Sequence, residues 1–237
     1  LSPRSVSSSA NETRHGRPLT LFYTVESLRR ERNTGLFQVY YATPARTASI
    51  RFGKVLANSV VGLSVALGTF VGGAIAILVQ GKVALDLRPF LVTWGLLLVP
   101  TLIVWTSFVM LLFAATGNRY TTYGLALASL ALTGWLQMRG KMTWVGNWDL
   151  WDTLGWSDLG TFELNRTALV LNRVAVLGLA VLFVAITVRL FPRRDRDATR
   201  TVHRFAPGAI ARSVLRMLPF AVVPVVALVT LWVMVDR

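Results

Sequence analysis

Charged residues vanish from long tracts of this chain and gather between them. From Val55 to Gln80 there is no Asp, Glu, Lys or Arg, and a second uncharged run extends from Pro89 to Asn118. Each is longer than the roughly 20 apolar residues that span the hydrocarbon of a bilayer. The pattern predicts five crossings, over about Arg51–Gln80, Pro89–Ala115, Thr121–Met138, Ala168–Leu190 and Leu215–Val235. Inside lipid a helix satisfies its own backbone polar groups, and the alternating strand segments of a closed barrel are too few here. A soluble core would have to hide all these helices in one small domain. The predicted fold is therefore all-α, a polytopic transmembrane helical bundle.

Breaks within and between the tracts refine this picture. Residues 1–17 are Ser-rich and polar, without the basic start and apolar core of a signal peptide. Residues 18–25 are apolar but too short to span. Leu28–Tyr41 carries Arg29, Arg30, Glu31 and Arg32 ahead of Leu36, Phe37, Val39 and Tyr40, the mixture of an amphipathic interfacial helix, and Thr43-Pro44 ends it. Gly68 and Gly72, four apart in the first crossing, let another helix come close. Pro100 predicts a kink in the second. Trp144, Trp148, Trp151 and Trp156 lie among acids in 139–167, a composition suited to the headgroup layer. Arg173, near the start of the fourth crossing, is expected to reach toward the interface. Pro219 and Pro224 interrupt the last.

Composition agrees with the pattern: of 237 residues, 54% are hydrophobic and only 15% are charged, against about a quarter charged in soluble domains. A net charge of +14 raises the possibility of nucleic-acid binding, but the basic residues form no groove-following face. They set orientation instead. Nine Lys or Arg residues precede the first crossing through Lys54, and eight lie between Arg189 and Arg216, so both regions are expected in the cytoplasm. Four crossings separate them, and four return a chain to the side it left. The Trp-rich segment then faces outward and Gly117-Asn118-Arg119 faces inward. Asn11-Glu12-Thr13 and Asn165-Arg166-Thr167 match a glycosylation acceptor by chance.

No spacing supports enzyme chemistry. The chain lacks a phosphate loop, and His15 and His203 belong to no metal pattern. No serine has a recognisable His-Asp partnership, and cysteine is absent, which excludes disulfides and thiolate metal sites. Asp86 borders an outer loop, so the membrane-embedded acid of a proton-coupled secondary transporter is missing as well.

What remains is an ordered charged approach to the first crossing: Glu26, Arg29, Arg30, Glu31, Arg32, Gly35, Pro44 and Lys54. Glu26 and Arg30 are four apart, a favourable helical pair. This run resembles that of the ABC-2 permeases, the membrane halves of type V exporters, in which Glu, then Arg-Glu-Arg, Gly, Pro and a Lys at the next helix follow in order. Trp156-Ser157-Asp158-Leu159 and Leu171-Asn172-Arg173 resemble the branch whose large members carry an aminopeptidase-like domain, although no peptidase motif is present. The resemblance covers residues 18–190.

It implies that residues 28–41 are a cytoplasmic coupling helix that docks on an ABC ATP-binding subunit, and that ATP and Mg act through that partner with no cofactor bound directly. It also implies a second permease copy or homologous half, surrounded by membrane lipids, in a bacterial cytoplasmic (inner) membrane. The expected organisation is a polar segment and coupling helix over 1–50, a four-span core over 51–190, and a basic linker with an additional span over 191–237. The family has two spans before its coupling helix, so the chain is expected to be part of a larger permease. A non-transporting scaffold or assembly protein is the alternative, ahead of a secondary transporter.

Overall fold

A computed structural model of the chain describes residues 21–30, 34, 35, 42, 47–81, 92–148, 150, 166–190 and 207–235. These are helices and the short joints between them, with no strand among the described residues. We number the helices α1 (21–30), α2 (Thr47–Gln80), α3 (Val99–Thr116, entered through a π-helix at Val92–Leu98), α4 (Arg119–Met138), α5 (Arg166–Leu190) and α6 (Pro207–Val235).

α3 is the hub. It is apolar on every side, as a helix surrounded by other helices must be, and it packs against α2, α4 and α5, while α6 packs on α5. Its entry departs from the expected simple kink. Pro100 sits in the first turn of α3, buried, directly after the π-helix. Without an N–H, and with a ring that crowds the preceding turn, proline disrupts ordinary i→i−4 pairing, and the wider π turn absorbs the disruption upstream.

At its other end α3 stops at Gly117, whose φ of 64° is left-handed and whose N–H donates to the Phe113 carbonyl at 3.0 Å. Glycine takes this conformation at no steric cost. The Asn118 side chain then caps α4 by accepting from Tyr120 N at 3.0 Å, as an N-cap asparagine does. The predicted short turn is thus an antiparallel helical hairpin with a two-residue joint.

Two apolar clusters mark opposite ends of the bundle. Leu21, Val25, Leu28, Val55, Met110, Phe113 and Val184 belong to one; Leu97, Trp144, Leu150, Leu169 and Leu231 form the other. The start of α2 and the ends of α3 and α5 therefore share one end with α1, and the start of α5 shares the other with the end of α6. α5 and α6 pack tightly at Gly178, where an added Cβ would lie 3.0 Å from Cδ of Pro224.

Among the described residues three helices are long and apolar enough to cross a membrane: Gly95–Thr116, Arg166–Leu190 and Met217–Val235. The exposure of α6 shows why the surroundings are lipid. It docks through a narrow seam of Pro224, Ala227 and Leu231, leaving Val222, Val225, Val226, Val229 and Trp232 exposed, an apolar surface that water does not tolerate at this extent. The chain is a membrane protein. α4 matches the predicted third crossing in extent but opens on Arg119-Tyr120-Thr121-Thr122 and so is less apolar. In α2, Phe70–Gln80 forms a shorter apolar stretch.

Candidate functional site

The charged approach lies at the Gly117 end. α1 buries Leu21, Thr24, Val25 and Leu28 and exposes Phe22, Tyr23, Glu26 and Arg30, the i, i+3, i+4, i+7 spacing of one helical face. Phe22 meets Tyr123 of α4, ring centroids 4.9 Å apart. The carbonyl of Arg30 accepts from both N and Oγ1 of Thr34, at 2.9 and 2.8 Å, and Gly35 follows with φ of 70°. Helix therefore covers 21–30 rather than beginning at Leu28. Arg29 is half-buried, and Lys54, on the first turns of α2, is half-buried beside Val55. Glu31, Arg32 and Pro44, with most of 28–41, lie outside the described residues.

Beneath this surface Leu21, Val25 and Leu28 of α1 share an apolar cluster with Val55 of α2. Thr24 Oγ1 of α1 and Asn58 Nδ2 and Ser59 Oγ of α2 are buried without a hydrogen-bond partner. Each such group costs about 1–3 kcal/mol, so both helices carry under-satisfied buried groups.

The Trp-rich end is the opposite. Arg173 is 3% exposed. It does not reach outward, as its place in the sequence suggests, because it meets acceptors inside. Nη1 donates to the Leu97 carbonyl and to Thr101 Oγ1, both at 3.1 Å, and Nη2 donates to the Trp148 carbonyl at 3.1 Å and Asn172 Oδ1 at 2.8 Å. Nε also donates to Asn172 Oδ1, at 3.2 Å. Leu97 lies where π pairing gives way to α pairing, a change that leaves a carbonyl without its usual donor. Asn172 in turn donates through Nδ2 to the carbonyls of Trp144 at 2.7 Å and Asn147 at 3.0 Å. A guanidinium and an amide thus tie segment 144–148 to α3 and α5.

Further contacts lock the same segment. Thr101 Oγ1 donates to the Trp148 carbonyl at 3.2 Å, and the Trp148 ring stacks on Trp105 with centroids 5.6 Å apart and planes 6° apart. Leu150 is fully buried at φ of 61°, its N–H donating to Asn147 Oδ1 at 2.8 Å. A leucine with positive φ is strained by about 1–2 kcal/mol, and persists because the surrounding bonds over-determine it.

The segment roofs a cavity of about 270 Å³. Trp105 and Phe108 of α3 form its floor, Ser129 and Thr133 of α4 one wall, and Val176 and Phe183 of α5 the other. α4 and α5 both pack on α3 and make no extensive contact with each other, so the cavity is a groove between them.

Of the remaining predicted positions, Gly68 and Gly72 lie on the exposed part of α2, with open space where a Cβ would stand. The Asn172–Arg173 clamp is the feature that sequence reasoning missed. Its signal was present as two adjacent polar residues inside an apolar run. No group of acidic, His or Cys residues that could hold a metal occurs among the described residues. The chain matches no family model, no curated protein and no solved structure.

Proposed function

We propose that the chain is a membrane-spanning permease subunit of an ATP-driven exporter of the ABC-2 type, with ATP hydrolysed in a separate subunit that carries the nucleotide and Mg. The observation that supports this most is the placement of α1. Its buried face rests on the same cluster as Val55, Phe113 and Val184, while Glu26 and Arg30 are exposed. A partner that docks on the charged side pushes directly on the ends of α2, α3 and α5. The under-satisfied groups of Thr24 on α1 and of Asn58 and Ser59 on α2 leave those helices easier to shift, whereas the Arg173 clamp holds the opposite end fixed.

In this mechanism the chain supplies no catalytic group. It converts a movement at residues 21–54 into a tilt of the bundle, alternating the exposure of a path at the interface with a second permease copy. The basic regions before Lys54 and after Arg189 lie in the cytoplasm of a bacterial cell and the Trp-rich segment outside. The scarcity of buried charge favours a hydrophobic or amphiphilic cargo.

Because the chain contains no cysteine, Arg30→Cys places a single cross-linking handle on the docking surface. In native membranes we expect its products to contain an ATP-binding protein. Products with other proteins only, or none, would argue for the scaffold alternative.

A further inference from the structure

The groove under the Trp144–Trp148 roof has a chemistry that points to its occupant. It contains no charged lining residue. Its Ser, Thr and Asn side chains are engaged within the protein: Ser129 Oγ donates to the Ala126 carbonyl at 2.8 Å, the single Thr133 hydroxyl proton is shared between the Ser129 and Leu130 carbonyls at 3.0 Å, Asn172 donates to the roof, and Asn147 Oδ1 accepts from Leu150 N. Trp105, Phe108 and Phe183 supply aromatic walls. Such a site offers chiefly dispersion and area burial, and little to a polar ligand.

Size and placement narrow the choice to a chain. About 270 Å³ is nearly twice the cavity of about 150 Å³ that takes a benzene ring, and far too small for a helix. Along α5 the lining runs from Asn172 to Phe183, which at about 1.5 Å per residue spans about 16 Å. That is close to half of a hydrocarbon core about 30 Å thick, the depth of one leaflet. The α4 wall continues past Thr133 to exposed Arg139 and Lys141, with the Arg139 guanidinium 4.9 Å from the centre of the Trp135 ring. Cations therefore stand at the headgroup end of the same groove.

We propose that the groove between α4 and α5, floored by Trp105 and Phe108 and roofed by Trp148, holds one acyl chain of an anionic phospholipid whose headgroup meets Arg139 and Lys141. The chain enters sideways from the bilayer, and the clamped roof keeps the aromatic wall in place to receive it. This holds whether or not the protein moves a cargo.

The test uses the full chain in nanodiscs containing phosphatidylglycerol with a diazirine in mid-chain. Adducts are expected on the peptides carrying Ser129–Thr133 and Val176–Phe183, at several times the yield on the exposed face of α6. Ser129→Phe and Thr133→Phe, which fill the groove from the half-buried α4 wall, should each lower the groove adducts at least threefold and leave those on α6 unchanged. If either variant fails to fold, native mass spectrometry of the unaltered protein decides: one retained phosphatidylglycerol per chain is expected, and none retained would overturn the proposal. Exchanging Arg139 and Lys141 together for glutamine should abolish the preference for phosphatidylglycerol over phosphatidylcholine without reducing groove occupancy. Adducts spread evenly over the lipid-facing helices, or groove yields unaffected by both phenylalanines, would show that no chain is held there. A preference for a free fatty acid probe, or one that survives removal of both cations, would overturn the headgroup assignment.

Discussion

Asn172→Ala tests the clamp where the structure makes it most exposed to failure. The alanine strands the carbonyls of Trp144 and Asn147 and takes from Arg173 the oxygen that accepts from both Nε and Nη2. At about 1 kcal/mol for each of the two neutral bonds and about 1.5–3 kcal/mol for the forked contact with the Arg173 guanidinium counted once, the loss is about 4 kcal/mol. Side-chain hydrogen bonds in membranes average nearer 0.6 kcal/mol, which brings the four bonds down to about 2. Docking of the roof should therefore weaken by about 2–4 kcal/mol, or about 30- to 700-fold in its opening equilibrium.

The assay follows from the missing cysteines. In a Leu150→Cys background the thiol is buried beneath the roof, since Leu150 is fully inaccessible, and the rate of maleimide labelling reports how often the segment lifts. Adding Asn172→Ala should raise that rate by at least tenfold in protein that still elutes as one species. A change of less than threefold in folded protein would show that the two helices hold the segment without the amide, and the clamp would lose its assigned role.

Other consequences are simpler to state. Gly178→Ala drives a methyl into the rigid Pro224 ring and should destabilise the fold by about 1–3 kcal/mol in thermal unfolding, whereas Gly68→Ala, with open space around it, should leave the chain's own stability unchanged or slightly raised. Trp148→Ala removes the stack on Trp105, and should cost about 2 kcal/mol for a half-buried ring and accelerate labelling of the same Leu150→Cys reporter. Lys141→Cys should react with an impermeant reagent in intact cells and Asn118→Cys only in inside-out vesicles; labelling of both from the same side would break the alternation of crossings. Glu31→Lys should lower transport per ATP hydrolysed while leaving insertion intact.

Sequence pattern located the helices well where the signal was local. The joint at Gly117–Asn118 was legible because a glycine and an asparagine stand between two apolar runs, and both play their usual capping parts. The start of α5 was legible to within two residues. Arg173 was not, because its fate depends on carbonyls contributed by Leu97 and Trp148, far away in the chain, and no local rule distinguishes an outward-reaching arginine from one received inside. The π turn escaped for a related reason: Pro100 announces a disrupted ladder but not which side absorbs it. At the charged approach the boundary between an apolar fragment over 18–25 and a helix from Leu28 dissolved into one helix over 21–30, since Leu21, Val25 and Leu28 form a single face only when the two pieces are read together.

The permease reading stands or falls on what accompanies the chain in its membrane. Purifying the intact native complex in a lipid-preserving medium, and identifying its subunits by mass spectrometry, tests this directly. The account predicts an ATP-binding subunit and a second permease half recovered in fixed ratio with this chain, together with ATPase activity. Recovery of the chain alone, or only with proteins that bind no nucleotide, would contradict it.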